Sequence, residues 1–223
     1  MKPTLLLVHG AWHNAAGFDS LRNELENLGI PSQAISLKSA GDEGDMYADA
    51  AIVRAAIAEQ SGDCFVLGHS YGGLAITEGV ADSTNVKGLI YLTAFMLDEG
   101  ETLYAACGSV DPDWWVRNDE NTLLTTKNPA DVFYNTCSPE IAESALAQLR
   151  TQSISSFTQP ITQVAWKTIP STYIICEKDQ AIPLFAQEGM SQRASQVLRI
   201  DSDHSPFLSK PAELAAALAK IME

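Results

Sequence analysis

The sequence lacks any apolar run approaching the roughly 18–20 residues that a membrane-spanning helix needs. Its first apolar segment, Leu5 to Val8, is also shorter than the roughly 7–15 apolar residues of a secretory signal peptide. We therefore expect a soluble, cytoplasmic protein with no membrane partner.

Positive charge is scarce. Lysine and arginine total 14 against 28 aspartate and glutamate residues, which gives a formal net charge of −14. Such a surface repels phosphate backbones and anionic lipid headgroups. The charge balance therefore predicts that the protein does not bind nucleic acid.

Metal-binding and cofactor-binding patterns are also missing. None of the four cysteines forms a C-x-x-C pair, so the sequence predicts no zinc site. It contains neither a G-x-G-x-x-G fingerprint nor a Walker loop. We expect chemistry that requires neither a metal nor a cofactor. The four cysteines are Cys64, Cys107, Cys137 and Cys176.

The 223 residues, 46% hydrophobic and 19% charged, have the composition of one globular domain. Apolar strand-like runs alternate with helix-like stretches, a pattern typical of a parallel sheet covered by helices on both faces. About six strands are expected. The strand-like runs are Thr4 to Val8, Ser32 to Leu37, Cys64 to Leu67, Val86 to Leu92, Ser171 to Cys176 and Gln196 to Ile200. The helix-like stretches are Phe18 to Leu28, Tyr47 to Glu59, Tyr71 to Val80, Leu184 to Arg193 and Pro211 to Met222.

The alternation stops between Leu92 and Ser171, where no clear strand is visible. We interpret residues 97–163, called the insertion below, as a helical cap over the sheet edge, and residues 1–96 and 164–223 as the core. A long disordered loop is the alternative. The aromatic residues of this region, among them Trp114 and Phe157, argue against disorder.

A nucleophile motif follows the third predicted strand. The segment Gly68-His69-Ser70-Tyr71-Gly72 has the pattern G-x-S-x-G, with an apolar strand before it and a helix after it. A serine on such a strand-to-helix turn has a strained backbone and an accessible hydroxyl. We predict that Ser70 is a nucleophile. The alternative is a glycine-rich structural turn.

A serine nucleophile needs a base, and the base needs an orienting acid. His204 follows the last predicted strand and so lies at the carboxyl edge of the sheet, which makes it the predicted base. Asp179 follows the preceding strand and is the predicted acid, with Glu177 as its competitor. Asp203 more simply shapes the turn beside the histidine.

Two backbone amides are expected to stabilise the oxyanion of a tetrahedral intermediate. The amide of Tyr71 follows the nucleophile and points into a helix N-terminus. The amide of Ala11 lies in the loop after the first strand. Gly10 would keep that backbone open to the site.

These motifs resemble those of α/β-hydrolases in the methylesterase and hydroxynitrile-lyase-like group. The resemblance lies in Leu6 to His13, in Gly68 to Gly73 and in Asp203 to Phe207, with a further similarity in Tyr91 to Met96. It implies an α/β-hydrolase fold, a triad of Ser70, Asp179 and His204, and an ester-type or cyanohydrin-type substrate under a helical cap.

Two departures matter within that group. Hydroxynitrile lyases of the group have a lysine directly after the histidine and a threonine in the first-strand loop, where this chain has Ser205 and Gly10. The resemblance therefore favours ester hydrolysis over cyanide release.

The expected function is that of a carboxylesterase-type serine hydrolase acting on a small, apolar or aromatic ester. Trp12, Phe95, Trp114 and Trp115 are candidate pocket walls, with ordinary core packing as the alternative. Lactone or thioester hydrolysis, a lyase reaction and non-hydrolytic binding of a small molecule stay open, as does a homodimeric assembly.

Overall fold

The computed structural model describes residues 2–223. It contains nine strands and ten α-helices in that range. The strands are β1 (Thr4–Val8), β2 (Ser32–Ile35), β3 (Cys64–His69), β4 (Val86–Leu92), β5 (Trp115–Arg117), β6 (Leu123–Thr126), β7 (Gln152–Ser153), β8 (Ser171–Cys176) and β9 (Gln196–Ile200). The helices are α1 (Asp19–Asn27), α2 (Met46–Ala58), α3 (Gly72–Gly79), α4 (Leu103–Ala106), α5 (Pro129–Phe133), α6 (Pro139–Leu146), α7 (Ser155–Thr158), α8 (Leu184–Ser191), α9 (Pro206–Ser209) and α10 (Pro211–Ile221).

Six strands form one parallel sheet in the order β2-β1-β3-β4-β8-β9. All six were expected from their apolar character, and the predicted α/β architecture is confirmed. Because every strand runs in the same direction, the loops that follow the strands meet at one edge of the sheet. The segments after β1, β3, β8 and β9 carry the residues discussed below.

The sheet divides the interior into two apolar clusters. Leu6 and Val8 of β1 pack into the cluster that also contains residues of α2 and α3. Leu5 and Leu7, the alternate positions, pack into the cluster shared with α1 and α10. Because successive side chains of a strand point to opposite faces, a strand buried on both faces must be apolar at every position. This explains the unbroken apolar run of β1.

Local signals set the ends of the helices. The Asp45 side chain accepts a hydrogen bond of 2.9 Å from the Ala48 amide and caps the start of α2. Gly29 follows α1 with a φ of +67°, a conformation that suits glycine and ends the helix where the sequence predicted. No helix within residues 2–223 is long and apolar enough to cross a membrane.

The insertion differs from the helical segment that we expected. It contains four short helices, α4 to α7, but also a small antiparallel sheet in the order β5-β6-β7. These strands are two to four residues long, too short to show the alternation by which strands are recognised. The pairing of β6 with β7 joins residues far apart in sequence, so no local sequence pattern predicts it.

Candidate active site

The turn between β3 and α3 holds Ser70 in the left-handed region, with a φ of +53°. Residues other than glycine rarely adopt this conformation, so the backbone of Ser70 is strained. The amides of Gly73 and Phe95 each donate to the Ser70 carbonyl oxygen at 3.1 Å and hold the turn in place. A Cβ atom on Gly72 would lie 2.6 Å from the Val8 carbonyl oxygen, so glycine is needed for this close approach to β1.

The imidazole of His204 is joined to the carboxylate of Asp179. Nδ1 of His204 lies 2.7 Å from Oδ2 of Asp179, and both side chains are buried. The other carboxylate oxygen accepts hydrogen bonds from the Ala181 amide at 2.7 Å and from the Ile182 amide at 2.9 Å. The Thr93 hydroxyl also donates to Oδ2. These hydrogen bonds fix the orientation of the Asp179 carboxylate.

This pairing determines which nitrogen of His204 is free. An ionised carboxylate only accepts hydrogen bonds, so Nδ1 of His204 carries the proton. In the neutral imidazole, Nε2 is then the nitrogen without a proton and can accept one. His204 and Ser70 line the same cavity. The arrangement suits a serine hydroxyl that gives its proton to a neighbouring base.

The two other acids near the histidine have different contacts. Glu177 is exposed, and its Oε1 lies 3.4 Å from Nη1 of Arg199 at the surface. Asp203 is buried, and its Oδ2 accepts a hydrogen bond of 3.0 Å from the Thr136 amide. The geometry therefore favours Asp179 over Glu177 as the partner of His204.

The two residues whose amides are the predicted oxyanion donors are Ala11 and Tyr71. Both residues are buried and line the cavity that contains Ser70. Within residues 2–223, neither amide donates a hydrogen bond to another group of the protein. A Cβ atom on Gly10 would lie 2.8 Å from the Ser70 Cβ atom, so the loop after β1 passes directly against the serine.

The cavity beside Ser70 is small and mostly apolar. Its volume is about 30 Å³. No lysine, arginine, aspartate or glutamate of the described chain lines it. The lining residues are Ala11, Trp12, Ser70, Tyr71, Phe95, Leu103, Cys107, Pro112, Trp114, Trp115, Phe133, Phe157, Ala181, Ile182 and His204.

All four predicted wall residues, Trp12, Phe95, Trp114 and Trp115, line this cavity. Sequence reasoning missed several others, namely Leu103, Cys107, Pro112, Phe133, Ala181 and Ile182. Nearly half of the lining residues belong to the insertion. The aromatic content of the insertion was the available signal, but it did not indicate which rings face the serine.

Two histidines of the loop after β1 are buried in hydrogen-bonded positions. Nε2 of His9 accepts from the Leu37 amide at 3.0 Å. Nδ1 of His13 donates to the Ala11 carbonyl oxygen at 2.7 Å, and Nε2 accepts from the Tyr134 hydroxyl at 3.0 Å. Burial lowers the pKa of His9 to about 4 and that of His13 to about 3. Both are neutral structural groups at neutral pH.

His69, next to the nucleophile, also has a structural contact. Its Nε2 donates a hydrogen bond of 2.8 Å to the His204 carbonyl oxygen. Burial lowers the pKa of His69 well below its ordinary value. The side chain therefore holds the backbone of His204 and does not take its place as the base.

Within residues 2–223, no group of three or more histidine, cysteine, aspartate or glutamate side chains is arranged to hold a metal ion. The four cysteines are free thiols. Burial raises the pKa of Cys107, the one thiol that lines the cavity, to about 11. That thiol is therefore protonated at neutral pH and is a poor nucleophile.

Comparison with known proteins extends the similarity over nearly the whole chain. A sequence model of the alpha/beta hydrolase family matches residues 5–217. An alpha/beta hydrolase of Aspergillus novofumigatus is 30% identical, over 95% of this chain and 93% of that protein. Methylesterase 2 of Arabidopsis thaliana is 25% identical, over all of this chain and 97% of that protein.

A solved structure shows the same fold. The crystal structure of a pyrethroid hydrolase from Sphingobium faniae superimposes with a TM-score of 0.87 at 27% identity, and covers 99% of this chain and 97% of that one. The family expected from the motifs is thereby confirmed. The chain belongs to the alpha/beta hydrolase family, among relatives that include methylesterases.

Proposed function

We propose that this protein is a cofactor-independent serine hydrolase that cleaves a small, uncharged, apolar or aromatic carboxylic ester through an acyl-enzyme. The observation that carries this proposal is the strained Ser70 in one cavity with His204, whose Nδ1 is bound to the buried Asp179. This constellation is the one by which serine hydrolases activate a hydroxyl.

In the first half of the reaction, Oγ of Ser70 forms a bond to the ester carbonyl carbon while its proton moves to Nε2 of His204. The carbonyl oxygen becomes an oxyanion and accepts hydrogen bonds from the amides of Ala11 and Tyr71. The intermediate then expels the alkoxide, which leaves as the alcohol after taking the proton from His204. Asp179 stabilises the imidazolium that forms in between.

In the second half, water attacks the acyl-enzyme. His204 accepts a proton from the water, whose oxygen bonds to the acyl carbon. Collapse of this second intermediate breaks the bond to Oγ of Ser70, and His204 returns the proton to the serine. The products are the carboxylic acid and the free enzyme.

The cavity supports an uncharged substrate. A charged group placed among its apolar walls would lose its hydration without gaining a partner. The similarity to a methylesterase, which is named for ester cleavage, and to a pyrethroid hydrolase, which is named for hydrolysis, supports ester cleavage. We also propose that the insertion covers the bound ester, because Leu103, Trp114 and Phe133 from this segment line the cavity.

The decisive experiment is reaction of the purified protein with a fluorophosphonate, followed by intact mass and peptide mapping. A parallel series of p-nitrophenyl esters of increasing acyl length measures turnover. The proposal expects one adduct, located on Ser70, together with ester turnover. A folded protein that forms no adduct and turns over no ester would overturn it and favour a non-hydrolytic binding protein.

Replacement of Ser70 by alanine is expected to abolish the adduct and to reduce ester turnover by at least about 10³-fold, because the nucleophile is lost. The thermal midpoint should change little or rise, since alanine removes only the hydroxyl from a strained position. Turnover comparable to that of the wild type would overturn the assignment of Ser70.

A further inference from the structure

The loop that carries the Ala11 amide is held by the insertion. Trp12, the next residue, has a φ of +63°, which is unusual for a residue with a side chain. Its amide donates to Oε1 of Gln152 at 3.2 Å, and its carbonyl oxygen accepts from the Arg150 amide at 2.8 Å. Its indole nitrogen donates to the Leu124 carbonyl oxygen at 3.1 Å. The insertion therefore holds the peptide groups next to the Ala11 amide.

The side chain of Gln152 extends these hydrogen bonds toward the core. The side chain is fully buried, and its Nε2 donates to the hydroxyls of Ser39 and Ser156, each at 2.8 Å. The Ser156 hydroxyl in turn donates to the Ser153 carbonyl oxygen at 2.6 Å. Both amide hydrogens and the amide oxygen of Gln152 are thus used. The side chain has one orientation that satisfies all of its partners.

The hydrogen-bond network ends at Asp49 of α2. This fully buried carboxylate accepts hydrogen bonds from the Lys38 amide at 2.8 Å, from the Ser39 amide at 3.2 Å and from the Ser39 hydroxyl. It also accepts a hydrogen bond of 2.7 Å from the Tyr71 hydroxyl. Asp49 therefore fixes the side chain of the residue that follows the nucleophile.

We infer that Gln152 and Asp49 are positioning residues that hold the two oxyanion donors at a fixed separation. Gln152 holds the Ala11 side through Trp12, Asp49 holds the Tyr71 side, and the Ser39 hydroxyl joins them. The inference rests on the proposed function, because it concerns the oxyanion site of that reaction. Neither side chain lines the substrate cavity.

Gln152→Met tests the Ala11 side. Methionine has a similar length but cannot accept from the Trp12 amide or donate to Ser39. A donor that is displaced by a fraction of an ångström stabilises the transition state less. We expect kcat to fall about tenfold or more with KM nearly unchanged. Gln60→Met is the matched control, since Gln60 is hydrogen-bonded to Gln33 of β2 and does not line the cavity.

Tyr71→Phe tests the other side with a smaller change. It removes the hydroxyl that bonds to Asp49 but keeps the ring and the backbone amide. A similar fall of kcat is expected. If Gln152→Met does not fold, Tyr71→Phe alone tests the positioning role.

Two ketone inhibitors that differ only in a trifluoromethyl or a methyl group separate a positioning role from a purely structural one. Oγ of Ser70 adds to the carbonyl carbon of a trifluoromethyl ketone, and the serine proton moves to His204. The adduct places an oxyanion between the two donors. The corresponding methyl ketone measures binding to the cavity. Both variants should bind the trifluoromethyl ketone more weakly, by the factor lost in kcat, and the methyl ketone as tightly as the wild type does.

If the wild type turns over esters and both variants keep its kcat, the positioning role is overturned and the proposed function is not. Equal weakening of both ketones, together with a lower thermal midpoint, would also overturn it, because that result indicates a structural role. Absence of ester turnover in the wild type would instead overturn the proposed function.

Discussion

At the scale of single residues, the chemistry depends on contacts that hold a few polar atoms in one orientation. Asp179 has four donors around its carboxylate, and one of them is Nδ1 of His204. Ser70 keeps a backbone conformation that two amides stabilise through its carbonyl oxygen. These residues are buried, so water competes little with the bonds that orient them.

Replacement of Asp179 by asparagine is expected to lower kcat by roughly 10⁴-fold with little change in KM, because an amide no longer selects the tautomer of His204 with a free Nε2. Steady-state kinetics with a p-nitrophenyl ester measures the change. Glu177→Gln is the matched control and should retain nearly full activity, since that carboxylate lies at the surface with Arg199. If Glu177→Gln lost activity and Asp179→Asn kept it, Glu177 would be the acid that orients His204.

Trp114 limits the size of the cavity. The ring is half-buried and lies 5.3 Å from that of Trp12, centroid to centroid. Trp114→Ala should raise kcat/KM for bulky aromatic esters relative to acetate esters by roughly tenfold, because a wall of the small cavity is removed. Trp166→Ala is the control, since Trp166 does not line the cavity. An unchanged selectivity profile would contradict the assignment of this wall.

At the scale of secondary structure, the site depends on how closely β1, β3 and α3 approach one another. The approach brings the loop after β1 against the nucleophile turn. The packing leaves no room for side chains at several positions, of which Gly72 is one. The insertion adds a second layer of elements, β5 to β7 with α4 to α7, whose aromatic residues close the cavity.

Gly72→Ala is expected to destabilise the protein by roughly 1–3 kcal/mol or more, because the new methyl group would meet the Val8 carbonyl oxygen of the backbone. Urea unfolding measures the change. In Gly62→Ala the added methyl group meets no atom within 4 Å, so the free energy of unfolding should change by less than about 0.5 kcal/mol. Equal stability of the two variants would contradict the packing argument.

At the scale of the whole molecule, four loops that are distant in sequence meet at one edge of the sheet. They follow β1, β3, β8 and β9, and residues of the insertion contact all four. This assembly buries three histidines, His9, His13 and His69, in addition to the proposed catalytic one. Each of the three is hydrogen-bonded through at least one ring nitrogen, and burial keeps each of them neutral.

These buried histidines predict a loss of stability in mild acid. In the unfolded chain each histidine binds a proton near pH 6.5. In the folded chain His9 binds a proton only near pH 4 and His13 only near pH 3. Stability present above pH 6.5 is therefore lost as the pH falls from there toward 4. Between pH 7.5 and 5 we expect the free energy of unfolding to fall by an amount on the order of a few kcal/mol.

Urea titrations at several pH values measure this loss. His13→Gln is the informative variant, because glutamine offers a donor and an acceptor but does not titrate. Its stability should depend less steeply on pH than that of the wild type, even if its stability at pH 7.5 is lower. Identical slopes would contradict the assignment of the loss to His13.

Much of the fold could be predicted from local patterns. The four inner strands of the main sheet, β1, β3, β4 and β8, are mostly apolar, and motif residues follow β1, β3 and β9 within a few positions. The nucleophile turn has a short sequence signature because its geometry requires glycine at particular positions. The antiparallel sheet of the insertion has no such signature, since its short strands are stabilised by partners that lie far away in sequence.

The sequence by itself determined the α/β architecture, the family and the candidate triad, because apolar periodicity and the G-x-S-x-G turn are local properties of the chain. Only the tertiary structure decided that Asp179, and not Glu177, contacts His204, and that Phe133 and Phe157 join the predicted tryptophans around the cavity. It also brought Gln152 of the insertion and Asp49 of α2 into one network. The physical reason is that such contacts depend on side-chain directions and on the packing of distant segments, which no local pattern specifies.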